Sequence, residues 1–539
     1  MLITTKELKF YSYYTLSEGR NILMYSFLGG LVILVLGYCI YGAIVDKIFA
    51  PTDKPTPCVV HPDGVDFVPI TPGRAFLIQL LNIAGLGPIF GALTGAIWGP
   101  QVYLWIVFGT IFAGAVHDYL VGMLSVRNDG ASVSEITGQY LGGFMLQVMR
   151  LFSVVLLVMV GVVFMVGPAG LLALMLTQGT SGAVGAASSA PAMFMGYGAA
   201  DWTKILTVII LVYYFLATLL PIDKVIGKIY PVFGLCLIFM AIGIGGMTVY
   251  NHIQGTKPMI ELWEGLYNMH PKADSMPIWP LMFITVACGA ISGFHATQSP
   301  LMARCLTSER QGRFVFYGAM VAEGIIALIW ASAGIAFYNT TDGGFSTAGL
   351  LAVGGGNSTS VYQISVGLLG PIGSILALLG VVACPITSGD TAFRSARLTL
   401  ADWFHIPQKG FAPRLALALP LLAAGYAISF LDYGIVWRYF SWSNQTLAMI
   451  ALWAGAVYLC RNVGATKGFM AAIPATFMSA VSVTYFCYAG ECLDLAKKID
   501  NGTTISYGIG IAAAVLFFAI YWIRVYSPAA KSSNVSLDK

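Results

Sequence analysis

Several ionisable side chains fall inside long apolar stretches of this sequence, where they are candidates for carrying protons or ions. His117 and Asp118 are adjacent in one such stretch, and His295 lies in another. An uncompensated charge in a bilayer costs at least about 2.5–3.5 kcal/mol, so a membrane protein keeps one there for a function or pairs it. An imidazole also titrates near neutral pH. We therefore expect His117 and Asp118 to take up a proton or an ion, and His295 to carry a proton or bind a carboxylate.

Each of these three residues also has a structural interpretation. Neighbouring helical residues point about 100° apart, so we expect only one of His117 and Asp118 to face the interior of a helical bundle. Asp118 could pair with Arg127 near the end of the same stretch. His295 could be a structural histidine that is hydrogen-bonded to a neighbouring helix. The sequence leaves these alternatives open.

Glu135 and Asp390 complete the set predicted for proton or ion coupling. Glu135 follows Ser132 by three positions, which is also the pattern of a capping box that starts a helix. Asp390 and Arg394 belong to a hydroxyl-rich segment just after an apolar stretch, which we place at the inner face. That segment could bind a cation, cap a short helix or form a gate. A further acid, Glu323, lies inside an apolar stretch, where an interhelical salt bridge would explain it.

Two apolar segments interrupted by glycine are the candidates for a substrate site. The first runs from Asn82 to Gly91 and the second from Cys288 to Pro300. Glycine and proline break a helix there, and each freed backbone group costs several kcal/mol in lipid unless it faces protein, water or a substrate. Close helix packing through small residues is the alternative. The predicted substrate-binding residues are Asn82, Gly85, Gly87, Pro88, Gly91, Gly289, Ser292, His295 and Gln298.

A pair of side-chain amides, Asn444 and Gln445, follows an aromatic-rich segment that begins at Trp437. Tryptophan and tyrosine gather at membrane interfaces, which accounts for the aromatic residues. We expect the two amides to bond between helices. Together with Arg394 they are assigned a gating or structural role.

The protein that positions these residues must lie in a lipid bilayer. Hydrophobic residues make up 58% of the 539-residue chain and charged residues 10%, against about 25% charged in soluble domains. About 13 apolar stretches of about 18–28 residues are each long enough to cross a hydrocarbon core of about 30 Å. The sequence thus predicts an all-α polytopic membrane protein with about 13 transmembrane helices.

Composition and motifs also narrow the functional classes. The net charge of +4 is scattered and forms no basic stripe, which argues against a nucleic-acid partner. Neither H-E-x-x-H nor G-x-S-x-G occurs in the sequence, so we expect no enzyme, no metal site and no cofactor. The oligomeric state does not follow from the sequence.

Glycine-broken helices in corresponding halves are typical of secondary transporters built from inverted repeats. If each broken segment opens one repeat, residues 73–250 and residues 277–461 form five helices each, and the odd number inverts the second repeat. The remaining parts are then an N-terminal peripheral helix and loop at 1–72, two C-terminal peripheral helices at 468–526 and a polar tail at 527–539.

Positive charge predicts the orientation of these helices. Lys and Arg fall on alternate connections, which places those connections and the C-terminus in the cytoplasm. The connections at 177–201 and 339–362 are nearly free of charge and are assigned to the other side. The first helix fits this scheme least, because Lys6, Lys9 and Arg20 would be external.

The same stretches resemble the carbon starvation protein A (CstA) family, which includes pyruvate transporters and proteins proposed to take up peptides. The resemblance covers residues from about 60 to 460. It rests on His61-Pro-Asp-Gly-Val-Asp-Phe-Val-Pro69, Gly85-Leu-Gly-Pro-Ile-Phe-Gly91, Gly114-Ala-Val-His-Asp-Tyr119, Ala287-Cys-Gly-Ala-Ile-Ser-Gly-Phe-His295, Asp390-Thr-Ala-Phe-Arg394 and Asn444-Gln-Thr-Leu-Ala448. Where the pyruvate-importing members tend to have Gln before the Asp of the Gly-Ala-Val motif, this chain has His117, which would fit an altered proton relay.

The resemblance implies an importer of the cytoplasmic membrane that is driven by protons, related to the APC/LeuT-like five-plus-five transporters and induced when carbon becomes scarce. Our leading prediction is proton-coupled uptake of pyruvate or a similar small carboxylate. A Na+ ion could replace the proton, bound by freed carbonyls and hydroxyls at the breaks. An importer of short peptides and a membrane nutrient sensor without transport are the alternatives.

Overall fold

The computed structural model describes residues 24–64, 67–179, 193–219, 223–339, 346–408 and 410–531. Its first half contains α1 (Tyr25–Phe49), α2 (Pro57–Val60), α3 (Pro72–Ile83), α4 (Gly87–Trp98), α5 (Val102–Arg127), α6 (Val133–Leu141), α7 (Gly143–Gln178), α8 (Ala199–Leu219) and α9 (Asp223–Ile253). The second half contains α10 (Ile278–Val286), α11 (Gly293–Ala303), α12 (Glu309–Tyr338), α13 (Ala348–Ala352), a helical run (Ser358–Phe404), α16 (Phe411–Ile428), α17 (Tyr433–Asn462), α18 (Ala465–Tyr488), α19 (Leu495–Lys498) and α20 (Gly502–Lys531).

These helices confirm an all-α polytopic membrane protein. Over the described residues, ten helices are long and apolar enough to cross a membrane, and the bent pair of α3 and α4 makes an eleventh span. Two of the predicted apolar stretches, at residues 277–299 and 439–461, are not among these spans. They correspond to the broken pair α10 and α11 and to α17. Helices dominate because backbone groups in lipid must be hydrogen-bonded within the protein.

Some predictions concern parts of the chain that the structure does not describe. Lys6, Lys9 and Arg20 lie outside the described residues, as does most of the polar tail. The division into two inverted repeats and the orientation in the membrane stay predictions.

Both glycine-broken segments are interrupted helices. α3 ends at Ala84, whose backbone leaves the helical region (φ −80°, ψ 58°), and α4 continues at an angle of 56°. In the second segment, Ser292 is extended (φ −146°, ψ 124°) between a short 3-10 turn and α11. The predicted breaks are therefore confirmed at both places.

The two breaks pack against each other in the protein interior. A Cβ on Gly87 would overlap the side chain of Cys288, and one on Gly91 would lie 2.6 Å from the carbonyl oxygen of Val286. A Cβ on Gly289 would lie 2.8 Å from that of Ala327 in α12. The glycines thus serve close packing as well as breaking the helices, so both readings of these segments hold.

The helical run Ser358–Phe404 reverses direction at Gly370. This residue is non-helical (φ 58°, ψ −144°), and a Cβ on Gly373 would collide with the carbonyl oxygen of Ser365. Residues eight positions apart in a straight helix are separated by about 12 Å. The run is therefore a hairpin of a short helix, α14 (358–369), and a long one, α15 (371–404).

This hairpin corrects the predicted position of Asp390 and Arg394. The ring of Phe393 occupies the space beside Gly161, close to the middle of the long helix α7. Asp390 lies within one turn of Phe393, so it is inside α15 and not in a connection that follows a helix. The sequence suggested a connection because hydropathy falls where α15 becomes polar, although the helix continues. The placement of this segment at the inner face stays a prediction.

We expect Gly87→Ala to lower the thermal unfolding midpoint of the purified protein, because overpacking costs about 1–3 kcal/mol. The matched control is Gly29→Ala in α1, where no atom lies within 4 Å of the added Cβ. Replacing that helical glycine is favourable by about 0.5–1 kcal/mol. Size-exclusion chromatography after heating measures both midpoints. An unchanged midpoint for Gly87→Ala would contradict the close contact between the breaks.

Candidate functional site

Ionisable residues from separate stretches of sequence meet in one buried cluster. Its members are His117, Asp118, His295 and Glu323, and each has 0% of its surface exposed. α5 supplies the first two directly after a widened helical segment, Trp105–Gly114. The first turn of α11 supplies His295, and the middle of α12 supplies Glu323. The cluster therefore joins three helices, one of which begins at the second break.

Asp118 and His295 are the two bridging members of this His–Asp–His–Glu cluster. Nδ1 of His117 lies 2.8 Å from Oδ1 of Asp118, and Nδ1 of His295 lies 2.8 Å from Oδ2. Nε2 of His295 lies 3.2 Å from Oε2 of Glu323, without the alignment of a hydrogen bond. One imidazole thus lies between two carboxylates. The four side chains form a continuous series of proton donors and acceptors.

The structure decides between the alternatives for these residues. His117 and Asp118 are both buried in the bundle, and the expectation that only one would face inward is wrong because α5 is enclosed on all sides at this level. Arg127 pairs with Glu309 at 2.9 Å and not with Asp118. His295 does bond to a neighbouring helix, as its structural interpretation expects, but the partner is the predicted coupling acid.

Glu323 is the member of the cluster that the sequence analysis left out of its predicted site. The signal in the sequence was an acid inside an apolar stretch. An interhelical salt bridge was the expected explanation, and the contact with His295 is such a pair. The partner could not be identified from the sequence, because 27 residues, 296–322, lie between His295 and Glu323.

Two side chains of α17 form hydrogen bonds with residues at the second break. Oδ1 of Asn444 accepts hydrogen bonds from the backbone N–H of Phe294 (2.6 Å) and from the hydroxyl of Ser292 (3.2 Å). Nε2 of Gln445 donates to the carbonyl of Ile291 (3.3 Å). Protein groups therefore satisfy part of the backbone that the break frees, as burial in a bilayer requires. These are the interhelical bonds expected of the two amides.

The predicted substrate-binding residues lie at the interface of the two breaks. Asn82 is half-buried and the rest are buried. The hydroxyl of Thr110 in α5 donates to the carbonyl of Gly289 (3.2 Å). Nε2 of Gln298 donates to the hydroxyl of Thr297 (3.0 Å). In this structure, polar groups at the second break therefore bond to other protein groups.

Two predicted coupling residues lie apart from the cluster. Glu135 is exposed, and its carboxylate accepts from the backbone N–H of Ser132 (2.8 Å) in a complete capping box. This is the alternative that the Ser-x-x-Glu pattern suggested. Asp390 pairs with Arg394 on the same helix, at 3.3 Å. Neither acid contacts the His–Asp–His–Glu cluster.

A cavity of about 560 Å³ lies beside the N-terminus of α17. It extends from the exposed Asp432 and Arg438 at its rim to Thr94 in α4, Thr285 in α10 and the buried Trp437. Elements from both halves of the chain thus line it. None of the predicted substrate-binding residues lines this cavity in the described structure.

An aromatic layer separates the cavity from the first break. The ring of Phe90 packs against Tyr433 and Trp437, with ring centroids 6.3 and 6.0 Å apart. The hydroxyl of Tyr433 and the indole N–H of Trp437 are buried and have no hydrogen-bond partner among the described residues. Both residues line the cavity, so these two polar groups are available to a ligand.

His270 also lines the cavity, from the connection between α9 and α10. Burial, with a smaller contribution from Lys272, lowers the pKa of His270 to about 4. Its imidazole is therefore neutral at physiological pH. The positive charge at this cavity comes from Arg438 at the rim.

A second network of charged residues lies at the C-terminal end of α5. This helix begins near Trp98, which lines the cavity, and ends about 39 Å away at Arg127. The guanidinium of Arg127 donates to both carboxylate oxygens of Glu309 (3.1 and 2.9 Å), and to the hydroxyl of Tyr458 (2.7 Å). It also donates to the carbonyl of Ala50 (2.8 Å) and lies 3.9 Å from the ring centre of Phe49. Arg127 thus ties α1 to the body of the protein.

Possible metal ligands are not grouped in the part of the chain that the structure describes. No set of three or more His, Cys, Asp or Glu residues there is arranged to hold a metal ion.

Comparison with known proteins places this geometry in context. The family model described as carbon starvation protein CstA matches residues 23–201 and 170–340, a region that contains the whole cluster. A Haemophilus influenzae protein named as an uncharacterized membrane protein is 46% identical over 345 residues, which cover 59% of this chain and 92% of that protein.

Two relatives carry functional names. The peptide transporter CstA of Bacillus subtilis is 28% identical over 544 residues, which cover 86% of this chain and 89% of that protein. The pyruvate/proton symporter BtsT of Escherichia coli is 28% identical over 334 residues, which cover 51% of this chain and 43% of that protein.

We expect Asn444→Ala to destabilise the protein by about 1–3 kcal/mol, because it leaves the buried N–H of Phe294 without its acceptor. Asn462→Ala is the matched control, since it makes the same substitution at the exposed end of α17. Thermal unfolding and hydrogen exchange at the Phe294 amide are the measurements. Equal midpoints and equal exchange in both variants would show that Asn444 does not hold the break.

Glu309→Gln is expected to lower the unfolding midpoint strongly, because breaking a buried pair costs up to about 3–5 kcal/mol and leaves Arg127 uncompensated. Asp53→Asn is the control. Its ion pair with Arg310 has side chains that are 77% and 66% exposed, so water screens the charges and no measurable change is expected. If Asp53→Asn lowered the unfolding midpoint as much as Glu309→Gln, the expected difference between the exposed and the buried ion pair would be refuted.

Proposed function

Because this chain belongs to the carbon starvation protein CstA family and is a multi-pass membrane transporter, we propose that it takes up a small carboxylate, such as pyruvate, together with protons during carbon starvation. We place it in the cell membrane with its C-terminus in the cytoplasm. We assign it no enzymatic activity, since its relatives with functional names are named as transporters.

The observation that carries the proposal is the buried His–Asp–His–Glu cluster. Four titratable side chains in contact, none of them exposed, are costly at membrane depth unless they serve a function. An imidazole can accept a proton at one ring nitrogen and donate one from the other, so His295, which lies between Asp118 and Glu323, can pass protons between them. Because His295 belongs to the second broken segment, a change at the break would move one member of the cluster. This links proton occupancy to the conformation of the transporter.

The two ends of α5 support a transport cycle with alternating access. The cavity is lined by connections that the charge pattern assigns to the extracytoplasmic side, among them 346–357. The Arg127 network closes the end that carries the cytoplasmic connections. We therefore interpret the structure as outward-facing, with Phe90 and Trp437 between the cavity and the first break.

A specific observation favours short peptides as the second candidate substrate. A cavity of about 560 Å³ is of the size that holds drug-sized ligands and is large for a three-carbon acid. Asp432 and Arg438 at its rim carry opposite charges, as the ammonium and carboxylate termini of a peptide do, and Arg438 pairs with Glu491 at 3.1 Å in this structure. The buried polar groups of Tyr433 and Trp437 would bind either substrate.

The test is uptake of radiolabelled pyruvate and of labelled di- and tripeptides into proteoliposomes, with an imposed pH gradient and with that gradient collapsed. We expect uptake to require the pH gradient. Asp118→Asn should reduce it at least about tenfold, because removing one partner of a buried charged network costs more than about 1.4 kcal/mol.

A Na+ gradient without a pH gradient is the control for the coupling ion. Uptake driven by Na+ alone would reject the proton as that ion, and uptake of peptides only would move the substrate to the second candidate. Absence of flux under either gradient would overturn the transport proposal and leave a membrane nutrient sensor as the function to pursue.

A further inference from the structure

Among the described residues, Glu323 is the buried carboxylate for which neither oxygen has a hydrogen-bond partner. It lies in the middle of α12 and is fully buried. Neither of its carboxylate oxygens has a hydrogen-bond partner among the described residues, and its polar contact is with Nε2 of His295, at 3.2 Å. A buried ionised carboxylate needs hydrogen bonds or a close cation, whereas a protonated carboxyl is far less costly to bury. This environment favours a proton on Glu323.

Asp118 has the opposite environment although it is equally buried. Nitrogens of His117 and His295 lie 2.8 Å from its two oxygens, and both can donate a proton to an ionised carboxylate. Hydrogen bonds to the charged form stabilise that form. Of the two carboxylates beside His295, Asp118 is therefore the one kept ionised.

The charges of the cluster lead to the same assignment. The titratable groups that act on Glu323 are His295 and, beyond it, Asp118. His295 is faced by these two carboxylates and by the thiol of Cys288. Two ionised carboxylates around one neutral imidazole leave two negative charges in the membrane interior, and uptake of one proton on Glu323 removes one of them.

We propose that Glu323 is the group that takes up the transported proton, and that His295 passes this proton to Asp118. In the transfer, the O–H bond of Glu323 breaks and its proton binds Nε2 of His295, while the proton on Nδ1 moves to Oδ2 of Asp118. The imidazole is neutral before and after the transfer, with its proton on Nδ1 at the start and on Nε2 at the end. The net result is the movement of one proton from Glu323 to Asp118, and no other reactant is needed. This inference rests on the proton coupling proposed above and adds the residue at which loading occurs.

Glu323→Gln tests the proposal, because an amide mimics the protonated carboxyl but cannot release a proton. We expect exchange of labelled for unlabelled substrate, at equal concentrations and without a pH gradient, to stay within about twofold of wild type. Accumulation driven by a pH gradient should fall to the level seen with the gradient collapsed. Glu264→Gln, at an exposed position in the connection after α9, should behave as wild type in both assays.

The outcomes separate this inference from the function on which it rests. A wild-type protein without gradient-driven uptake would overturn the proposed function itself. A wild type with such uptake, together with a Glu323→Gln variant that still accumulates substrate with the gradient, would overturn only the assignment of Glu323.

If Glu323→Gln also loses the exchange of labelled for unlabelled substrate, a second measurement tests the proposal. Infrared spectroscopy of the purified protein detects the C=O stretching band of a protonated carboxylic acid without any transport. We expect this band in the wild type and in Glu264→Gln at mildly acidic pH, with its loss on titration to alkaline pH. We expect it to be absent in Glu323→Gln, and a band of undiminished intensity there would overturn the proposal.

Discussion

Inside a bilayer, water is not available to hydrogen-bond a polar group, so every such group must find its partner in the protein. This constraint explains the central features of the structure. The second helix break exists because Asn444 and Gln445 reach across from α17 to the backbone it frees. The charged residues of α5 are tolerated because histidines lie against both oxygens of Asp118. Where the constraint is met least, at Glu323, we place the proton.

The same constraint connects the parts of the proposed transport cycle. The glycines of one break make room for the residues of the other, so the two broken segments cannot move independently. His295 lies in the first turn of α11, just after the second break, and contacts both carboxylates of the cluster. A substrate that enters from the cavity meets Phe90 and Trp437 before it reaches the first break. In the proposed cycle, the protein closes over its substrate at the breaks, and the proton occupancy changes in the neighbouring His–Asp–His–Glu cluster.

Much of this arrangement follows from local sequence patterns. Length and hydropathy predict the spans, and the glycines at 85, 87 and 91 predict a break, because both are properties of a few consecutive residues. The Ser132–Glu135 capping box is local in the same way. The reversal at Gly370 was missed because apolar residues continue on both sides of it, and hydropathy does not register a change of direction.

Partners across the bundle could not be predicted from one sequence. His117 and Asp118 were expected to point apart, but enclosure of α5 on all sides buries both. Glu323 was noticed as an acid in an apolar stretch, and only the packing of α12 against α11 gives it His295. The cavity depends in the same way on residues from α4, α10 and α17 that are far apart in the chain.

We infer that the substrate crosses the membrane together with protons, and that the protons pass through the His–Asp–His–Glu cluster. The most direct measurement follows the internal pH of proteoliposomes, loaded with a pH-sensitive dye, when pyruvate or a peptide is added outside without an imposed gradient. The account predicts that substrate entry acidifies the interior for the wild type and that His295→Gln abolishes this signal. Substrate entry into wild-type vesicles at constant internal pH would contradict it.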